Sequence, residues 1–394
     1  MKHPVRPIRT LLVDPVRSLV AEGKLSGVLL ITATIFSILV SNLPIAGAYL
    51  SFWKTDVGFS FLHLPISGWI NDGLMPVFFL LVGLEIKREL LKGELSRLNQ
   101  AILPVVAAAG GMAVPAVIFI LFNLNNPETI HGWAIPTATD IAFSLGILSL
   151  LGKRIHFSMV VFLMALAIID DLGAIVIIVA FYSGELHTFM LFCALGVIAL
   201  LILLNRLKVR HFAAYLVPGI LLWYFVLNSG IHPTIAGVLL AMTIPLPLGE
   251  VIEQKLTRTV SYFILPVFAL ANTAIPLSFG LTWNLFSTLS IGIILGLFLG
   301  KPLGIIISTW ILVKGKLSPM LSGVNWKMMV GLGLVAGIGF TMSIFITTLS
   351  FDQEVHANTA KLAVISGSII SALAGTILLQ LNSGRGNGKV LKDQ

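Results

Sequence analysis

Asp170 and Asp171 stand side by side in an apolar run, Phe157 to Tyr182, long enough to cross a lipid bilayer. An ionised side chain near the bilayer centre costs roughly 2.5 to 3.5 kcal/mol on insertion scales, so an adjacent pair reads as an ion or proton site. Hard cations prefer oxygen ligands, and a carboxylate that holds either a cation or a proton makes the two compete. Lys301 is a further charge, in the run GIILGLFLGKPLGIIIST, and it sits too deep for its stem to carry the ammonium to water. Its natural partner is Asp170 or Asp171. Asp140 follows Pro136, Thr137 and Thr139 in GWAIPTATDIAFSLGILSLL. The proline removes a backbone donor there, and the threonines and the aspartate offer oxygens to groups left unpaired, which predicts a helix broken near its centre.

The elements that carry these residues are membrane spans. Of the 394 residues 57% are hydrophobic and only 11% charged, and apolar segments recur along the whole length with no soluble domain between them. Twelve spans are expected, at 25–42, 69–86, 102–124, 133–151, 157–183, 188–205, 211–228, 231–248, 260–280, 287–313, 327–350 and 358–381. All but Lys54, Lys361 and Lys301 of the 25 basic residues then fall at the termini or in loops on one side, which sets both termini in the cytoplasm. That topology explains the net charge of +8 without a nucleic-acid partner. Residues 1–24 read as an interfacial helix leading into the first span, 25–381 as one transmembrane transporter domain, and 382–394 as a cytoplasmic tail. The single cysteine, Cys193, excludes a disulfide framework or thiol metal site.

The eleventh span is interrupted differently, by Gly331, Gly333, Gly337 and Gly339 followed by Thr341 and Ser343. Glycines there serve close helix packing equally well. The fourth and eleventh spans are the middle members of two triplets, spans three to five and ten to twelve, that run in opposite directions. The pattern predicts an all-α polytopic membrane protein with an inverted-topology repeat, whose two interrupted helices cross at the midplane with the site between them. Half-helix ends facing each other there need compensating charge, which Asp140 and Lys301 can supply. Asp72, in WINDGLMPVFF, opens the second span and either lines the approach from outside or caps the helix. His232 starts the eighth span, where its imidazole titrates near neutral pH or simply serves the fold. Alternation in AYLSFWKTDVGFSFLHL suggests a hairpin in the outer loop from Pro44 to Ser67.

The motifs ATDIAF (138–143), ALAIIDDLGAI (165–175), FFLLVGLEIKREL (78–90), GKPLGI (300–305) and GIGFTMSIFI (337–346) resemble the NhaA family of bacterial sodium/proton antiporters over nearly the whole chain. The resemblance implies a secondary antiporter, not an enzyme, that exchanges cytoplasmic sodium or lithium for external protons, two per sodium, in the inner membrane, serving pH and sodium homeostasis. It implies no cofactor. Carried over residue by residue, it makes Asp171 the main sodium ligand, Asp170 the partner of Lys301, and Asp140 with Thr139 the groups at the broken helix. The charged cluster of Glu85, Lys87, Arg88 and Glu89 with Glu250 and Glu253, placed in the loop before span nine, becomes a cytoplasmic funnel and pH-responsive region. Relatives carry histidines at that entrance, where this chain has Gln254 and Thr257. The outer hairpin at 44–67 becomes the joint of a homodimer.

Other classes fit less well. An intramembrane aspartyl protease takes its carboxylates from two helices, whereas neighbours on one helix point about 100° apart. A passive cation channel would be opposed by Lys301, and a sodium-coupled solute symporter would need a larger polar cavity than these spans offer.

Overall fold

A computed structural model describes residues 25–59, 62–152, 155–277, 280–281 and 284–382. The expected interfacial segment at 1–24, the tail from 383 onward and the loop residues Lys153 and Arg154 lie outside the described residues. Among the described residues seven helices are long and apolar enough to cross a bilayer: Ile66–Leu91, Gln100–Asn123, Ile130–Leu151, Phe157–Phe181, Thr188–Arg206, Thr288–Lys314 and Glu354–Asn382. The pair Trp326–Ala336 and Phe340–Ser350, bent by 45° at its break, makes an eighth, and Leu25–Val40, Phe212–Leu227 and Thr234–Thr243 are shorter apolar helices. With its backbone groups satisfied inside helices, the chain is a polytopic helical membrane protein.

Two expectations are corrected. The eighth apolar run, 231–248, is helical only over Thr234–Thr243, and helix resumes at Leu246, well before the expected start of the ninth span. Ile244 is extended (φ −67°, ψ 133°) ahead of Pro245, as the steric demand of a following proline requires. The helix Leu246–Thr259 carries Glu250, Glu253, Gln254, Lys255 and Thr257, so a count of apolar residues passes over it. Glu250 and Glu253, expected in a loop, therefore stand on a helix. In the loop from Pro44 to Ser67, the strands Asp56–Phe59 and Leu62–Pro65 pair antiparallel with Asp56 opposite Pro65, whereas Ala46–Lys54 is helical. Helical spacing lets the Tyr49 and Trp53 rings meet edge to face at 5.7 Å, and the Tyr49 hydroxyl reaches the Leu270 carbonyl at 3.2 Å.

Three π turns, Trp69–Leu74, Val260–Ile264 and Gly296–Gly300, each end two residues before a proline, at Pro76, Pro266 and Pro302. Proline has no N–H and its ring collides with the carbonyl four residues back, so the preceding turn widens. The carbonyl that Pro76 leaves unpaired belongs to Asp72, and it accepts the Trp223 indole N–H at 2.5 Å. Lys301 follows the third of these turns directly. Its helix lies close against Leu98–Asn123, because a Cβ at Gly304 would strike the Gly110 carbonyl oxygen. A Cβ at Gly296 would come within 2.7 Å of the Pro136 ring. Glycine thus brings the lysine helix up to the broken fourth span.

Candidate cation site at the meeting of two broken helices

The fourth span is interrupted at residues 138–140, between a 3₁₀ segment Ile130–Thr137 and the α-helix Ile141–Leu151. The other break separates Trp326–Ala336 from Phe340–Ser350. The breaks bond to each other. Asp140 N–H donates to the Ile338 carbonyl at 2.7 Å, Ser144 Oγ to Val335 at 3.0 Å, and Ser343 Oγ to Ile135 at 2.7 Å. Carbonyls released at the end of each first half-helix are thus taken up by donors from the opposite span.

Asp140 serves the second half-helices. Its Oδ1 accepts the Phe143 N–H at 2.8 Å, capping its own helix, and its Oδ2 accepts the Thr341 N–H at 3.0 Å and the Thr341 hydroxyl at 2.5 Å. One carboxylate therefore meets the positive ends of two helices. Lys301 does the converse, donating to the Thr137 carbonyl at the end of the 3₁₀ segment. The two groups divide the compensation of the facing helix ends by sign.

Adjacent positions on a helix point to different sides, and the paired aspartates use this. Asp170 Oδ2 lies 2.7 Å from Lys301 Nζ and accepts the Thr139 hydroxyl at 2.6 Å. The Thr139 oxygen is also 3.0 Å from the Ala336 carbonyl, and its one proton goes to the nearer, charged acceptor. Asp171 instead borders a cavity of about 90 Å³ with Asp140, Glu85, Thr341, Ser26, Thr257 and Ser261. Asp140, Asp170, Asp171 and Lys301 are all 0–2% exposed, so Lys301 does not snorkel.

Asp170 Oδ1 and Asp171 Oδ1 are buried without any hydrogen-bond partner. Buried oxygens without a partner can serve a hard cation, and the surrounding groups are hydroxyls, carbonyls and carboxylates. No cluster of three His, Cys, Asp or Glu side chains suited to a resident metal occurs among the described residues.

The remaining residues form two outlying groups. Asp72 lies inside the π turn of its helix, with Oδ1 3.4 Å from His232 Nε2, and the other imidazole nitrogen is 2.8 Å from the Thr234 hydroxyl. At the other end of that helix Arg88 is paired to Glu253 at 3.0 Å and to Glu89 at 2.7 Å, and Lys92 to Glu250 at 2.6 Å. Burial raises the Glu253 carboxyl above its ordinary range, against the opposing pull of Arg88. Lys87 caps the short helix Thr234–Thr243, donating to the carbonyls of Met242 at 2.7 Å and Ile244 at 2.5 Å. Ser144 and Ser26 are lone serines in apolar runs that nothing local in the sequence marks, whereas Ser261 stands at a four-residue spacing with Glu253 and Thr257 that could have found it. Trp223 was also passed over, although Pro76 leaves a carbonyl that needed a donor.

The family model described as Na+/H+ antiporter 1 matches residues 17–379. The chain is 50% identical over 364 residues to Na(+)/H(+) antiporter NhaA 2 of Flavobacterium johnsoniae, covering 90% of this chain and 89% of that protein. It is 47% identical over 363 residues to Na(+)/H(+) antiporter NhaA of Flavobacterium psychrophilum, covering 91% and 93%. Against Na(+)/H(+) antiporter NhaA of Tolumonas auensis it is 47% identical over 382 residues, covering 94% and 96%. With carboxylates, lysine and facing half-helices gathered at one point and the family model spanning nearly its whole length, the chain belongs to the NhaA family of sodium/proton antiporters.

Proposed function

We propose that this sodium/proton antiporter works by letting sodium and protons compete for Asp171, with Asp170, Thr139, Asp140 and Lys301 setting the charge and shape of the site. The observation that carries this is the unpartnered Asp171 Oδ1 at the wall of a small cavity, one residue from a carboxylate already matched by a lysine. Three buried carboxylates stand against one ammonium, an excess of two negative charges that one sodium ion halves and two protons cancel. Sodium enters from the side of the basic loops while the site is deprotonated, and rearrangement about the two breaks exposes it to the other side. Protons then displace the ion and return with the site. Two protons per sodium, carried by the carboxylates or by one carboxylate and Lys301, make the cycle electrogenic, and the coupled groups titrate as a set.

The architecture we infer has twelve spans over 25–381 as one transporter domain, with both termini in the cytoplasm and spans three to five repeated inverted as spans ten to twelve. The two breaks and their mutual hydrogen bonds support that reading. The cytoplasmic membrane is its place, pH and sodium homeostasis its service, and a homodimer through the 44–67 hairpin its assembly. Asp72 and His232 line the outer approach, whereas Glu85 and Glu253 belong to the inner funnel and its pH response.

The test is reconstitution in vesicles with an imposed pH gradient. Sodium collapses the gradient in the native protein and fails to do so in Asp171→Asn. Collapse that persists in Asp171→Asn moves the site elsewhere, and sodium flux without proton movement favours a channel or symporter.

A further inference from the structure

One wall of the cavity beside Asp171 comes from the helix that carries Glu253 and the π turn that continues it. Glu253, Thr257 and Ser261 recur at every fourth position along Leu246–Thr259 and the π turn that continues it, so they share one side. Glu253 meets Arg88 at the charged rim, while Thr257 and Ser261 border the cavity together with Glu85, Ser26 and Asp171. Thr257 donates its hydroxyl proton to the Glu253 carbonyl at 2.8 Å, which leaves its oxygen lone pairs uncommitted. The half-buried Ser261 hydroxyl has no hydrogen-bond partner among the described residues.

A cavity of about 90 Å³ holds only a few waters, so a sodium ion reaching Asp171 through it has shed part of its shell and needs oxygens in place of that water. Neutral hydroxyls suit a passage better than further carboxylates, because an ion must be held firmly enough to enter and weakly enough to leave. We propose that Thr257 and Ser261 are the oxygen rungs that pass a partly dehydrated sodium ion from the rim at Glu253 and Glu85 to Asp171. This rests on Asp171 as the cation ligand.

The test measures sodium-driven proton release from vesicles across a range of sodium concentrations, for Ser261→Ala, Thr257→Val and Ser261→Thr, with Asp171→Asn alongside. Losing one neutral oxygen ligand raises the apparent KM for sodium by about three- to tenfold, with the change falling on KM and not on the maximal rate. Ser261→Thr, which keeps the oxygen, recovers the affinity lost in Ser261→Ala. An unchanged KM in both Ser261→Ala and Thr257→Val overturns the proposal. If that occurs while Asp171→Asn is inactive, the site stands and only the rungs fall. An active Asp171→Asn removes the site itself. A second readout independent of rate uses Ser261→Cys in a Cys193→Ser background, treated with a small cationic thiol reagent. Sodium slows the labelling if the ion passes this position, and labelling indifferent to sodium overturns the proposal.

Discussion

Lys301 Nζ and Asp170 Oδ2 face each other at 2.7 Å with both side chains fully removed from solvent, and the same ammonium is bonded to the Thr137 carbonyl. The lysine therefore joins three elements, its own helix, the aspartate helix and the broken fourth span.

Removing one member of a buried ion pair leaves the other uncompensated, at a cost of about 3–5 kcal/mol. Lys301→Met is expected to unfold well below the native protein on heating in detergent, and Lys301→Met with Asp170→Asn to recover most of that loss. A single variant as stable as the native protein would contradict this.

Asp140 accepts from Phe143 N–H, Thr341 N–H and the Thr341 hydroxyl. Asp140→Ala orphans these donors at about 1–3 kcal/mol per buried group, whereas Asp140→Asn keeps one acceptor oxygen and loses less. Denaturation of the three proteins side by side should rank native, Asn, Ala. Equal losses for Asn and Ala would mean that the charge, and not the capping, is what counts.

The Glu253 carboxyl, raised by burial and opposed by Arg88, gives a pH dependence of known sign. As pH rises through its folded value the carboxyl ionises and its pairing with Arg88 strengthens, and as pH falls the pair is lost. Folding stability runs the other way, because the folded state holds the proton more tightly, so this group's contribution is present at low pH and fades as pH rises through the folded value. Glu253→Gln cannot form the ion pair at any pH, and its exchange rate followed against pH should lose the part of the native change that accompanies ionisation of Glu253. A profile superimposable on the native one would remove Glu253 from the pH response.

Lys87 places its ammonium on the Met242 carbonyl in the last turn of Thr234–Thr243 and on the carbonyl of Ile244 just past it. Lys87→Met should destabilise the protein by about 1–2 kcal/mol, as expected for a cation lost from a partly buried helix C-terminus, with Lys87→Arg close to native. Thermal unfolding checks it, and a methionine variant that unfolds like the arginine one would refute the cap.

Much of the fold was legible because hydropathy is summed over a stretch of chain. The run 157–183 is the helix Phe157–Phe181, and 287–313 is Thr288–Lys314. Legibility failed where that sum misleads. Leu246–Thr259 is a helix too polar to register, and AYLSFWK alternates like a strand while its aromatic side chains pack at helical spacing. In the eleventh span the choice between glycine for packing and glycine for interruption dissolves. Gly333 lies against Pro302 as the helix breaks three residues past it, after Ala336.

The sequence by itself determined that charge lies in apolar, span-length runs, that two of those runs are weakened by proline or glycine, and that the chain belongs to this family. Each of these follows from residue types along a local stretch, or from their order. Only the tertiary structure decided that Asp170 turns to Lys301 while Asp171 turns to the cavity, and that Asp140 reaches Thr341 across 201 residues of sequence. Which face of a helix meets which neighbour depends on its rotation and depth, and those are set by distant contacts such as Gly304 against Gly110 that no local pattern encodes.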